Sequence, residues 1–200
     1  MSGRPRRSRS RPVRPNPPGA HFLTDRGLIA QLVRGSGAGP GSLVFDLGAG
    51  YGALTGPLAR SGARVIAVER DPEFAGCLRR RFCGDPRVGV VEGDLRTISW
   101  PRRPFLVVAS PPFALTTLLC RRLLGDDAIR LAGADLILAW GAAKWLSGPP
   151  RDAETARWAA RYEMRLVRPV AAASFSPPPG TSAAYLRIRP RGSRPRRRPG

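Results

Sequence analysis

Histidine and cysteine are almost missing from this chain. A single His21 and three cysteines, Cys77, Cys83 and Cys120, with no CxxC pair among them, leave a His/Cys zinc centre without a ligand set, so no metal is expected. The odd count reads as reduced thiols and not as a disulfide framework. No apolar run approaches the ~18 residues of a membrane span, and there is no secretory core at the start. The chain therefore reads as cytoplasmic, with no membrane partner. Acids are scarce as well: 14 stand against 34 basic residues, a formal charge of +20. That excess suits a polyanionic partner, most naturally nucleic acid. Lysine is nearly absent, with Lys144 alone, so part of the arginine excess reads as compositional bias.

The charge gathers at the ends. "MSGRPRRSRSRPVRPNPP" (1–18) and the Arg-rich close beyond residue 190 are Arg, Pro, Ser and Gly with almost nothing apolar, too little to offset the entropy of ordering. Residues 1–18 and 191–200 are expected to be disordered tails around one domain at 19–190. A transit peptide shares the Arg- and Ser-rich, acid-poor character, but the prolines oppose its amphipathic helix.

Within 19–190, short apolar runs at 42–47 ("SLVFDL"), 64–69 ("RVIAVE"), 87–92 ("RVGVVE"), 105–110 ("FLVVAS") and 134–140 ("ADLILAW") read as strands buried on both faces. Helical segments lie between them, one opened by Asp71 and Pro72 as cap and first turn. Repeated strand–helix–strand units imply an open parallel sheet covered by helices, whose ligands bind at the carboxyl ends of the strands.

Four consecutive strand ends carry chemistry. The first opens into "DLGAGYGALT", where glycines let the backbone turn tightly and approach a ligand. The second ends at Glu69, about twenty residues on, where a carboxylate can accept both hydroxyls of a ribose. The third leads to Asp94. The fourth stops at Ser110-Pro111-Pro112-Phe113, a stiff turn that cannot continue the ladder and that presents a hydroxyl, carbonyls and an aromatic ring. Any one of these alone reads equally well as turn chemistry.

As a set, "GAHFLTD" (19–25), "FDLGAGYGALT" (45–55), "VIAVERDP" (65–72), "EGDL" (92–95), "VVASPPF" (107–113) and "FSPPPGTSAAYLRIRP" (175–190) resemble the rRNA adenine N6-methyltransferases, the family of the Erm erythromycin-resistance and KsgA-type enzymes. The resemblance implies an α/β, Rossmann-like class I methyltransferase fold, a mostly parallel seven-stranded sheet with helices on both faces. It also implies S-adenosylmethionine as cofactor. His21 and the backbone of Leu23 would close over it, the Gly48-Ala49-Gly50 turn would meet its methionine end, Glu69 would hold the ribose, and Asp94 would accept from the adenine amine. Arg70 and Leu95 would flank the adenine ring. In the catalytic turn the carbonyls of Ser110 and Pro111 would accept the hydrogens of an exocyclic amine, while Phe113 stacks on the target base, which has to be extruded or unpaired. Tyr51 reads either as a pocket wall or as packing.

Three departures stand out. Ala20 replaces the usual glutamine, and Ser110 the usual asparagine; S-P-P-F also resembles the motif of DNA cytosine-N4 enzymes. The family's helical C-terminal domain has no counterpart, so the chain reads as a short form whose basic tails grip phosphates. The implied function is methylation of an adenine amine in 23S rRNA, or in a ribosomal precursor particle, by a monomer, with macrolide-lincosamide-streptogramin resistance as the outcome. The alternatives are a non-catalytic rRNA-binding or assembly protein, and a DNA or small-molecule methyltransferase. Arg165 and Arg168 in "RLVRPVAAASF" read either as an RNA contact or as charges on a solvated edge strand. Trp140, Trp145 and Trp158 read as packing residues.

Overall fold

The computed structural model describes residues 20–192. The expected tail at 1–18 lies outside the described residues, as does that at 191–200 apart from Arg191 and Gly192.

Five strands run parallel: β2 (Leu43–Leu47), β3 (Arg64–Glu69), β4 (Val88–Glu92), β5 (Phe105–Ala109) and β6 (Leu131–Ala139). Two more follow late in the chain, β7 (Tyr162–Val170) and β9 (Ala183–Pro190), and β9 lies antiparallel between β6 and β7. The order is β4-β3-β2-β5-β6-β9-β7, seven strands with one reversed. A separate two-stranded ribbon pairs β1 (Phe22–Leu23) with β8 (Phe175–Ser176).

Strand alternation sorts the core into two layers. Val44, Val65, Val108 and Ile137 pack with α1 (Arg26–Ser36) and α2 (Thr55–Arg60). Phe45, Leu47, Val107, Leu136 and Leu138 pack on the other face with α4 (Thr116–Leu124), α5 (Trp140–Ser147) and α6 (Ala153–Arg161). Helix α3 (Pro72–Arg81) starts where the sequence places it. Asp71 accepts from the backbone N–H of Glu73 at 2.8 Å and of Phe74 at 3.4 Å, and Pro72 fills the first turn, where a missing N–H costs nothing.

Several expectations are refined. β4 is the sheet edge and is only half covered, with Val91 43% exposed, so it is not buried on both faces. The run at 134–140 begins earlier, at Leu131, and yields to helix α5 at Trp140. Helix α1 has no counterpart in the sequence reading, although Asp25 caps it and Gly37 closes it with φ +71°. The final strand β9 inserts between β6 and β7, leaving β7 at the edge. Trp158 is buried, and Trp140 and Trp145 pack against the same core. Among the described residues no helix is long and apolar enough to cross a membrane.

Candidate active site

The carboxyl ends of β2, β3, β4 and β5 open onto one cleft of about 500 Å³. It is bounded by the turns after these strands and, on the far side, by residues 20–22.

The glycine turn after β2 is held by β3. Gly48 and Ala49 donate to the Val68 carbonyl at 2.9 and 3.1 Å, and Gly50 donates to Glu69 Oε2 at 2.8 Å. Gly48 and Gly50 have φ of +71° and +52°, where a side chain is strained. Gly48 is in contact with the proline turn, and Gly50 is tightly approached. A Cβ on Gly48 would stand 3.4 Å from Pro112 Cδ, and one on Gly50 only 2.8 Å from the Phe22 ring. The glycine turn is thus pressed between the proline turn and the β1 aromatic.

Glu69 accepts a second backbone donor, Asp71 N–H, through Oε1 at 2.9 Å. Its carboxylate is oriented by two turns and still carries lone pairs for further donors. Asp94 is held by its neighbour Arg96, whose Nε and Nη2 reach Oδ2 at 2.8 and 2.5 Å and whose backbone N–H reaches Oδ1 at 2.8 Å. Arg70 approaches Oδ2 at 3.9 Å. The Arg96 guanidinium, above all through its hydrogen bond, holds the Asp94 carboxyl below the usual carboxylate range, opposed by some desolvation.

On the other wall, β5 stops at Ala109. Ser110, Pro111 and Pro112 follow, and Phe113 opens a 3₁₀ turn into α4, with Leu115 N–H donating to Pro112 O at 2.9 Å. The Phe113 ring lies 6.2 Å from His21 and 6.2 Å from Phe175, nearly perpendicular to the latter. His21 Nδ1 pairs with the Pro177 carbonyl at 3.0 Å.

Of the residues singled out from sequence, His21, Gly48, Gly50, Glu69, Arg70, Asp94, Leu95, Ser110, Pro111 and Phe113 line this cleft. The side chain of Leu23 is buried in the core under β1, and alternation gives the side-chain position in the cleft to Phe22, while the expectation for Leu23 concerns its backbone. Ala49 turns inward against Ala67 and Leu78. Tyr51 packs outside the cleft on Phe22 and Phe74, with ring centroids 4.9 and 4.8 Å away. Asp46 escaped the sequence reading, although a carboxylate inside a buried strand was the visible signal. It is 1% exposed and accepts from Thr55 Oγ1 at 2.6 Å, anchoring the glycine turn to α2. Burial pushes its carboxyl up to about 7, against the lowering effect of Thr55.

With this geometry in hand, comparison with known proteins gives a consistent picture. The family model described as ribosomal RNA adenine dimethylase matches residues 17–198. The chain is 31% identical over 175 residues to an rRNA adenine N-6-methyltransferase of Bacillus licheniformis, covering 87% of this chain and 61% of that protein. It is 36% identical over 190 residues to an rRNA methyltransferase of Streptomyces thermotolerans, covering 94% and 61%. The chain thus spans about 61% of the length of these curated relatives. Among solved structures it is similar to the 23S rRNA methyltransferase ErmE, with TM-score 0.79 and 29% identity over 86% of this chain and 70% of that one. A dimethyladenosine transferase from Plasmodium falciparum shares the fold, with TM-score 0.76 and 21% identity over 86% and 64%.

Proposed function

The chain belongs to the ribosomal RNA adenine dimethylase family and has its class I methyltransferase fold, and from that premise we propose that it transfers a methyl group from S-adenosylmethionine to the N6 amine of an adenine in 23S rRNA, free or in a precursor particle. The observation that carries the reading is the packing of Pro112 against Gly48: one wall brings the cofactor turn and the amine-accepting turn together.

The groups present fit the cofactor. Glu69 keeps acceptor capacity for two ribose hydroxyls after receiving Gly50 and Asp71. Asp94, held ionised by Arg96, accepts from an adenine amine. A cleft of about 500 Å³ lies inside the range of small-molecule sites. Gly48 and Gly50 admit the methionine end, Arg70 and Leu95 border the base, and His21 with Phe22 closes the far side. When bound, S-adenosylmethionine supplies an electrophilic methyl on sulfur.

The remaining work is positional. An adenine amine is a poor nucleophile because its lone pair is delocalised into the ring. Acceptance of its hydrogens by the Ser110 and Pro111 carbonyls counters that delocalisation and points nitrogen at the methyl. Phe113 stacks on the extruded base, and Phe175 supports the Phe113 ring from its edge. Orientation of this kind supplies most of the acceleration, and no general base with a special pKa is required. The protein acts as a monomer, its arginine-rich ends hold phosphates, and macrolide-lincosamide-streptogramin resistance is the consequence.

The test is transfer of labelled methyl to protein-free 23S rRNA followed by nucleoside analysis. N6-methyladenosine supports the reading. Label in cytosine of DNA would move the assignment to a DNA amino-methyltransferase, and cofactor binding without transfer to any nucleic acid would leave an rRNA-binding or assembly protein.

A further inference from the structure

The edge strand β7 carries an irregularity that changes the surface of the whole domain. Its pairing with β9 is regular from Tyr162 to Leu166, then shifts: Arg165 lies opposite Arg187 and Leu166 opposite Leu186, but Arg168, not Val167, lies opposite Tyr185. Val167 is therefore the extra residue of a β-bulge. In a regular strand residues three apart point to opposite faces. The bulge instead brings Arg165 and Arg168 onto one face, the face of their cross-strand partners Arg187 and Tyr185.

That face is the α1 side of the sheet. Arg168 Nε donates to Gln31 Oε1 of α1 at 2.9 Å. Gln31 shares its helix flank with Arg34, three residues on and exposed. Two of the acids nearby are already engaged. Asp135 is buried and taken by Arg187 Nε at 2.9 Å and Arg189 Nη2 at 2.6 Å, and also accepts from Tyr185. Asp25 caps α1 and receives Ser174 Oγ at 3.0 Å. Glu163 is exposed on the same face, two residues before Arg165 and opposite Arg189, on the side away from Arg168. Arg165 and Arg168 are exposed and form no ion pair among the described residues.

The strand also points at the site. Its carboxyl end, Val170, continues through the 3₁₀ turn Ala172–Ser174 to Phe175, whose ring meets Phe113. From Tyr185 to Arg187 the partner strand advances two residues, so the two arginines repeat at about 7 Å, comparable to the spacing of successive phosphates in a nucleic-acid strand.

We infer that the bulged β7 edge is a phosphate-binding track for the RNA leading away from the target base, with Arg168 nearer the site, Arg165 further out and Arg34 on its flank. This rests on RNA being the substrate. Regularly spaced guanidinium groups suit this role because each offers a fork of donors to phosphate oxygens.

The experiment measures RNA affinity against salt for the full chain, with S-adenosylhomocysteine binding as the readout of an intact fold. R165Q/R168Q removes two phosphate contacts, so the slope of log K against log salt falls by about 1.4 and affinity at low salt drops roughly tenfold or more. R165K/R168K restores the slope. R102Q/R103Q, on exposed arginines before the amino end of β5, changes it less. An unchanged slope in R165Q/R168Q with cofactor binding intact overturns the inference, as does an equal fall in R102Q/R103Q. Aggregation with unaltered RNA affinity would reduce the arginines to protection of an open sheet edge and likewise overturns it. If the wild-type chain binds no RNA, the substrate reading falls and takes this inference with it; that arm separates the two failures.

Discussion

Glu69 holds Gly50 in place: its Oε2 accepts the Gly50 backbone N–H at 2.8 Å, so the residue assigned to the ribose also fixes the turn assigned to the methionine end. Removing the carboxylate removes both functions. Hydrogen bonds to charged groups contribute about 1.5–3 kcal/mol each, so E69A should weaken S-adenosylhomocysteine binding by about two orders of magnitude in a calorimetric titration. E69Q, which keeps one acceptor oxygen, should lose roughly tenfold. An E69A protein that binds as tightly as wild type would remove Glu69 from the site.

Phe113 and Ser110 should separate binding of the base from its alignment. Stacking of a base on an aromatic ring is worth about 1–3 kcal/mol, so F113A should lower kcat/KM for RNA about 10- to 100-fold while cofactor affinity holds. S110N restores a longer amide arm and should raise kcat several-fold with little change in KM. A fall in kcat for S110N would show that the turn is built around the smaller hydroxyl.

Asp46 makes stability depend on pH in an uncommon direction. Burial raises its folded pKa to about 7, above its unfolded value, so the folded state binds the extra proton between about pH 4 and 7. Its contribution is fully present below the unfolded pKa and is lost as pH rises through 7. D46N should abolish this dependence, becoming more stable relative to wild type by a few kcal/mol as pH climbs from 4 to 8. Denaturant titrations at several pH values measure it; parallel curves for the two proteins would contradict the assignment.

Gly35 lets α1 settle onto a buried ionic cluster. A Cβ there would fall 2.0 Å from Arg187 Nη2 and 2.6 Å from Tyr185 Oη, both tied to Asp135. Helix propensity favours alanine by about 1 kcal/mol, but disturbing a buried network costs more. G35A should lower Tm by several degrees, whereas G141A in α5, with nothing within 4 Å of the new Cβ, should hold or raise it. Equal Tm shifts in the two variants would show that the cluster yields freely.

Much of this architecture is visible before any coordinates, because strands buried on both faces leave continuous Val, Leu and Ile runs and because β-strand ends, glycine turns and the Asp71-Pro72 cap each have a local chemical cause. What stays hidden is non-local. Helix α1 is the exception, since its cap, its closing glycine and the apolar stripe of Leu28, Ile29, Leu32 and Val33 are all local signals. Leu23 and Phe22 differ only by the alternation of a two-residue strand whose partner lies far along the chain, and a one-residue slip exchanges core for cleft. The Val167 bulge has no local signature at all, since it is defined by the register of β9.

The ribbon of β1 and β8 has a temporal meaning as well as a spatial one. His21 and Phe22 reach the cleft only because Phe22 pairs with Ser176 and Leu23 with Phe175, and Thr24 and Asp25 donate to the Ser174 carbonyl. A chain leaving the ribosome presents Thr24 150 residues before its partner Ser174. The wall that completes the cleft waits for residue 176 and for closure of a long loop, the slow kind of contact in folding. The cleft is therefore completed late in synthesis of the domain, and a chain truncated before Phe175 loses β9 from between β6 and β7 along with the far wall of the cleft.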